Sequence, residues 1–452
     1  MTDLSVQTTL EMRYRERTPG SRALWGRALD VLPHGVSGAA KFYAPYPVFL
    51  ASAEGGHVTD VDGNDYVDLL MGAGPNLLGH RHPAVMEAVR RQLDAVTQSM
   101  APTGLEPAFA ERLRDHMPYL QRMRFTNTGS EADRSVVRLA RVVTGRPMIA
   151  KFEGHYHGSE DALQVSAMVG RTAGPPGRPA PVFDSAGISP SVLAETLVLP
   201  FNDVESTVAL IEEHADRLAA VIMEPVAFSS GGAIPADTGL ARAVRAVTER
   251  AGILLIFDEI VTGLRLGMGG APTYLGVVPD LSCLGKAIGG GFPLGCFGGR
   301  ADVMEAGLGL GGDPAQRVFQ SGTYTGNPIS IAAGMAVLDV LESEPILEHI
   351  DRMGSALREG LSGVFADRGV EACMTGVGSI FQVHFTSEPP RDRRGVLAGD
   401  AERSRLFLLG LVADGVLWPP VHPGVTAAPH DRSDVDRVIE TAERVLRQAP
   451  FA

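Results

Sequence analysis

The chain has 452 residues, a net charge of −13, and 44% hydrophobic against 21% charged residues. This length exceeds one small core and predicts two or three lobes, while the acidic balance argues against nucleic acid or an anionic membrane surface as partner, since both call for basic patches. Cys283, Cys296 and Cys373 show neither a disulfide framework nor metal-ligand spacing, so a reducing cytoplasm and no metal site are expected.

The first twenty residues, MTDLSVQTTLEMRYRERTPG, are polar and carry no apolar h-region, so no signal peptide is expected. No apolar run reaches the ~18 residues of a membrane span. The strand-like MRF at 123–125 leads through a turn into SEADRSVVRLARVV, 130–143. There Ala132, Val136, Leu139, Ala140 and Val143 share one helical face and Arg134, Arg138 and Arg141 the other. Thr128, Gly129 and Ser130 stand at the start of this helix. Its free N–H groups suit an anion, although the same residues also suit an ordinary N-cap.

MIAKF at 148–152 is a second short strand and runs into FEGHYHG, where Tyr156 could stack on a flat ring or be a half-buried loop aromatic. Residues 169–191, VGRTAGPPGRPAPVFDSAGISPS, are the most loop-like stretch, and long loops in compact domains are often functional. AAVIMEPV (219–226) and GILLIFDEI (252–260) are continuous apolar runs that end in acids, the pattern of strands buried on both faces of a parallel sheet. LSCLGKAIGGGFPLGC (281–296) holds a single charge, Lys286, among small and apolar residues.

Two glycine motifs fail on inspection. GKAIGGG has its lysine before the glycines and no Ser or Thr after it, so it is no phosphate-binding P-loop. GLGLGG at 307–312 has no preceding strand. Further on, SIFQVHF is a strand and SDVDRVIETAERVL (433–446) an amphipathic helix, which predicts a smaller closing α+β lobe.

Asp258 and Lys286 lie 28 residues apart, room for a crossover that brings two parallel strand ends side by side, where ligands bind in open α/β sheets. Spacing alone fits a salt bridge and a Schiff-base lysine with a carboxylate for a pyridinium nitrogen equally well. Taken together, the pieces ask for one ligand with a phosphate, a flat ring, a basic ring nitrogen and a carbonyl that takes an amine. That is pyridoxal 5′-phosphate.

The motifs FEGHYHG, FDEIVTGLR, PDLSCLGKAIGGGFPLGCFGG, NTGSEADRSVVRLAR and GTYTGNP, with VDGNDYVDLLMGAGPNLLGHRHPAV near the start, resemble the class III aminotransferases of fold type I, in particular the glutamate-1-semialdehyde aminomutase branch. The resemblance covers roughly 20–445. It implies an α/β fold: a large, mostly parallel sheet with helices on both faces, plus a smaller α+β lobe built from the N- and C-terminal segments. The expected divisions are 1–65 (joining the small lobe), 66–330 (large cofactor-binding domain) and 331–452 (small domain).

By the resemblance, Lys286 carries the Schiff base and Asp258 faces the pyridinium nitrogen. Ile260 and Tyr156 would flank the ring, Thr128, Gly129 and Ser130 would hold the phosphate, and Glu224 would lie near the cofactor. Thr323 would reach the phosphate of a neighbouring subunit, which implies a homodimer with shared active sites.

The chain departs from the branch where substrate binds. Gly38 and Lys41 stand where a serine and an arginine are expected, and Ser229 beside Phe228 where an asparagine is expected. Gly424, near Trp418, His422 and Pro423, takes the place of a glutamate, and the long Pro/Gly segment replaces a gating loop. Lys41, Phe228 and Trp418 are therefore the expected substrate contacts. An intact cofactor set with an altered substrate set points to an aminotransferase acting on small amino and keto compounds. The alternatives are an intramolecular aminomutase and a cofactor-binding protein without turnover.

Overall fold

The computed structural model describes residues 4–168, 170–309, 313–448 and 451. It separates into two compact units: Pro83–Leu347 with Arg391–Val396, and Met1–His82 with Glu348–Pro390 and Leu397–Ala452.

The larger unit is built on a seven-stranded sheet. Its strands are β1 (Arg122–Thr126), β2 (Met148–Phe152), β3 (Thr196–Leu199), β4 (Leu218–Met223), β5 (Leu254–Glu259), β6 (Leu281–Leu284) and β7 (Gly295–Gly299). They lie in the order β1-β7-β6-β5-β4-β2-β3, and β7 alone runs antiparallel to its two neighbours. The central β4 and β5 are buried at every position, because helices cover both faces and neither strand keeps a solvent side.

One face packs Val221, Leu255 and Phe257 against the Thr238–Ala251 helix. The other packs Ile222, Ile256 and Cys283 against the Gly129–Thr144 helix. That second helix starts at an N-cap, Thr128, whose side chain accepts the Glu131 N–H. It stops at Gly145, whose φ of 67° a side chain would resist.

The smaller unit holds a four-stranded sheet of Leu50–Glu54, His57–Asp60, Asp65–Asp68 and Val416–Leu417, and a three-stranded sheet of Cys373–Val377, Ile380–His384 and Gly424–Val425. Its core gathers Leu357, Phe381, Phe407, Trp418 and Val438. The Arg432–Leu446 helix opens with a capping box in which Asp431 and Asp434 satisfy each other's backbone N–H.

The expected boundaries at 65/66 and 330/331 move to 82/83 and 347/348. Asp65–Asp68 pairs with His57–Asp60 and Val416–Leu417, which binds it to the smaller unit. Pro328–Ser343 packs against Pro83–Leu93 in the larger one. Residues 391–396 also rejoin the larger unit. There Arg391 pairs with Asp237, Arg393 donates to the Ser230 carbonyl, and Arg394 forks onto Glu153 at 2.7 and 3.1 Å. No linear reading of composition signals such a return.

Candidate active site

The candidate residues of the larger unit follow the carboxyl ends of parallel strands. Thr128–Ser130 come after β1, Tyr156 after β2, Glu224 after β4, Asp258 and Glu259 close β5 with Ile260 next, and Lys286 comes just beyond β6. Asp258 lies opposite Cys283 in the β5–β6 register, three residues before the lysine. Lys286 itself has a φ of 45°, in the left-handed region that side chains avoid. Such strain persists where the surroundings hold a residue for a purpose.

Lys286 makes no hydrogen bond or ion pair among the described residues, and its Nζ lies 5.3 Å from the centre of the Phe228 ring. The salt-bridge reading of Asp258 and Lys286 therefore falls. Instead Asp258 Oδ2 takes His157 Nδ1 at 2.7 Å, and Oδ1 accepts the Ile260 N–H at 3.0 Å. Burial lowers the pKa of Lys286, with the charges of Glu224 and Asp258 acting against it.

Glu224 is fixed by the Tyr156 and Phe228 N–H groups, at 2.8 and 3.3 Å. Burial, and then the charge of Asp258, push its carboxyl up to about 8. The same two causes, in the same order, hold Asp133 well above the usual carboxylate range.

The site fits pyridoxal phosphate on its own geometry. The N–H groups of Gly129 and Ser130 take no partner among the described residues and open a 16-residue helix, so they offer a positive cradle for a phosphate. Gly158, at φ 76°, closes against Ser130, where a Cβ would collide with the serine side chain. Ile260 lies beside both Gly129 and Gly285. Tyr156 is 36% exposed, and Lys286 offers an unpaired amine.

A class-III aminotransferase family model matches residues 39–428. The chain belongs to the class-III aminotransferases. Among curated members of this family, the glutamate-1-semialdehyde 2,1-aminomutase of Methanosarcina acetivorans is 39% identical over 93% of this chain and 96% of its own length. Solved class-III structures give the same fold. An omega-transaminase from Sphaerobacter thermophilus is 36% identical with a TM-score of 0.87, covering 95% of this chain and 97% of its own. A glutamate-1-semialdehyde aminomutase from Pseudomonas aeruginosa is 27% identical with a TM-score of 0.88, covering 99% of both. Like them, this class-III chain is a pyridoxal-phosphate-dependent enzyme of α/β architecture.

Not every expected residue joins this cluster. Thr323 is exposed in the larger unit, its carbonyl bound to the Gln98 side chain. Lys41 belongs to the smaller unit, where its Nζ meets Ser37 Oγ at 3.1 Å. It borders a cavity of about 590 Å³ lined mostly by apolar residues, among them Leu32, Val36, Val48, Leu417 and Pro419. Trp418 is a correction. Its side chain is fully buried, edge-on to Phe381 at 5.1 Å, with Nε1 donating to the His422 carbonyl. It builds the core, while its neighbours Leu417 and Pro419 line the cavity.

Two residues of the cluster escaped the sequence reading. His157 stood in the quoted HYHG, but only the contact with Asp258 gives it a role. Asp133 was legible in principle, because it shares a helical stripe with Val137 and Ala140, and an acid on a buried stripe is a signal. The last three residues of GLGLGG, 310–312, lie outside the described residues. The described residues contain no cluster able to hold a metal and no helix long and apolar enough to cross a membrane.

Proposed function

We propose that the enzyme moves an amino group between separate donor and acceptor molecules. The observation that carries this is Phe228. An apolar ring, fully buried, stands beside the reactive amine. An aminomutase must keep its deaminated intermediate bound between two amine transfers, which calls for polar groups gripping it. An apolar wall favours letting the keto product go. The omega-transaminase likeness is compatible with this reading, and the aminomutase relatives keep the alternative in view.

When bound, pyridoxal phosphate supplies a carbonyl for the substrate amine and a ring that accepts the electrons left at the substrate Cα. Lys286, its ammonium disfavoured by burial, takes the proton from Cα and returns one. Asp258, oriented by His157, would hold a positive charge at the ring nitrogen. The Gly129 and Ser130 N–H groups would bind the phosphate, and Ile260 and Tyr156 would flank the ring.

In this reading Thr323 contacts the phosphate bound by a second copy, in a homodimer. The exposed side chains of Phe319 (86%), Tyr324 (60%) and Met100 (83%) beside it support such a contact surface. Lys41 attracts a substrate carboxylate. The enzyme is expected in the cytoplasm.

Incubation of the holoenzyme with glutamate or another amine donor alone, without acceptor, tests the proposal. About one equivalent of keto acid per site should appear while the amine stays on the cofactor. Isomerisation of an amino-carbonyl compound, with no keto product from any donor, would overturn it. Sedimentation of the same preparation should give a dimer, and an active, cofactor-loaded monomer would remove Thr323 from the site.

A further inference from the structure

Phe228 follows the short strand Val226–Ala227, and its own N–H is tied to Glu224 Oε1 at 3.3 Å. Its ring is fully buried, and its centre lies 5.3 Å from Lys286 Nζ, inside the ~6 Å reach of a cation–π contact. The charged groups acting on that amine are Glu224 at the end of β4, Asp258 at the end of β5, Arg265 beyond β5, and Asp133 on the Gly129–Thr144 helix. None of them forms an ion pair or hydrogen bond with it among the described residues. The Phe228 ring is thus the cation–π partner of the amine.

We infer that Phe228 is a positioning residue for Lys286: the negative face of its ring receives the ammonium each time the lysine takes up a proton, and so sets how readily the amine accepts and returns it. Burial works against the charged amine and the ring face works for it. A balance between them leaves a base that captures a proton and still lets it go. This role holds whether the amine travels between molecules or within one, so it stands apart from the choice between transaminase and mutase.

The experiment uses the apoprotein with ring-fluorinated phenylalanines at position 228, carrying one, two and three fluorines. Fluorine weakens the negative face with almost no change of shape. The readout is the pH dependence of Lys286 modification by an amine-selective reagent, followed by mass spectrometry of the peptide that contains residue 286. The apparent pKa of Lys286 should fall stepwise with each fluorine, by about 0.5–1 unit across the series. Phe228→Leu should lie at the low end. A flat response across the fluorinated series, or a shift seen only in Phe228→Leu, would overturn the inference, since leucine also changes packing. Uptake of pyridoxal phosphate by the unsubstituted protein is checked separately. Its failure would fault the assignment of Lys286 and leave the ring's effect on the amine readable.

Discussion

Asp258 divides its two oxygens between the His157 ring and the Ile260 backbone. Burial pushes the His157 pKa down, so the imidazole is neutral, donates Nδ1–H to the carboxylate, and leaves Nε2 as an acceptor without a partner. Asp258→Asn keeps the shape but removes the carboxylate that, in the proposed function, faces the ring nitrogen. We expect kcat to fall by about 10²–10³-fold, the scale of losing one aimed electrostatic group, with a smaller rise in the cofactor Kd. Near-normal turnover would make the carboxylate a structural group. Lys41 is a weaker case, because its side chain is exposed and an exposed ion pair contributes only about 0–1 kcal/mol. Lys41→Ala should raise KM for a carboxylate substrate several-fold at low salt, leave kcat alone, and lose the effect as ionic strength rises. Equal KM values at low salt would return Lys41 to a solvated lysine held by Ser37.

The Gly129–Thr144 helix meets Ile260, the residue after β5, through a contact that admits no side chain. A Cβ at Gly129 would lie 2.7 Å from Ile260 Cδ1 and 3.0 Å from its Cγ1. Alanine suits a helix better than glycine by up to about 1 kcal/mol, yet overpacking costs about 1–3 kcal/mol. Ile260 is β-branched and stiff, so the strain would move it within the proposed cofactor site. Gly129→Ala should therefore weaken pyridoxal phosphate binding by about tenfold while the apoprotein melts within a few degrees of the parent. Cofactor titration alongside calorimetry checks this, and unchanged affinity would mean that Ile260 yields elsewhere. The sequence displayed this helix openly through its cap, its apolar stripe and its closing glycine. It did not display that the glycine at its start is a packing requirement of Ile260, because that contact joins residues 131 positions apart.

At the scale of the whole molecule, the buried acids shape the response to pH. Burial pushes Glu224 up to about 8 and Glu259 up to about 7, and Asp133 well above its ordinary range. Over that interval the folded chain holds more protons than the unfolded one, so these groups lower stability as pH rises. His155, His157 and His430 are pushed down by burial and act in the opposite sense below 6.5. Lys151, pushed down to about 8 by burial, opposes the acids above that value. Lys286, also pushed down by burial, acts in the same sense as Lys151, and between about 6.5 and 8 the three raised carboxyls act against it. The urea midpoint of the apoprotein should fall from pH 6.5 to pH 8, and Glu224→Gln should flatten the slope. A midpoint that rises across this window would show that the acids already ionise inside the fold.

The sequence by itself determined the sheet and the cofactor, and singled out Lys286 as the candidate amine. Continuous apolar runs ending in acids are the pattern of strands buried on both faces, and a lone lysine among small and apolar residues marks a candidate for chemistry. These are local signals, legible because burial and periodicity are written along the chain. The tertiary structure decided which side chains meet. It gave Asp258 to His157, turned Trp418 into the core beside Phe381, gathered Asp133 into the acids around the amine, and set the Phe228 ring over Lys286. It also returned residues 391–396 to the larger unit. The physical reason is common to all of them: periodicity tells which face of an element is buried, but the partner across that face comes from a distant part of the chain, and only packing selects it.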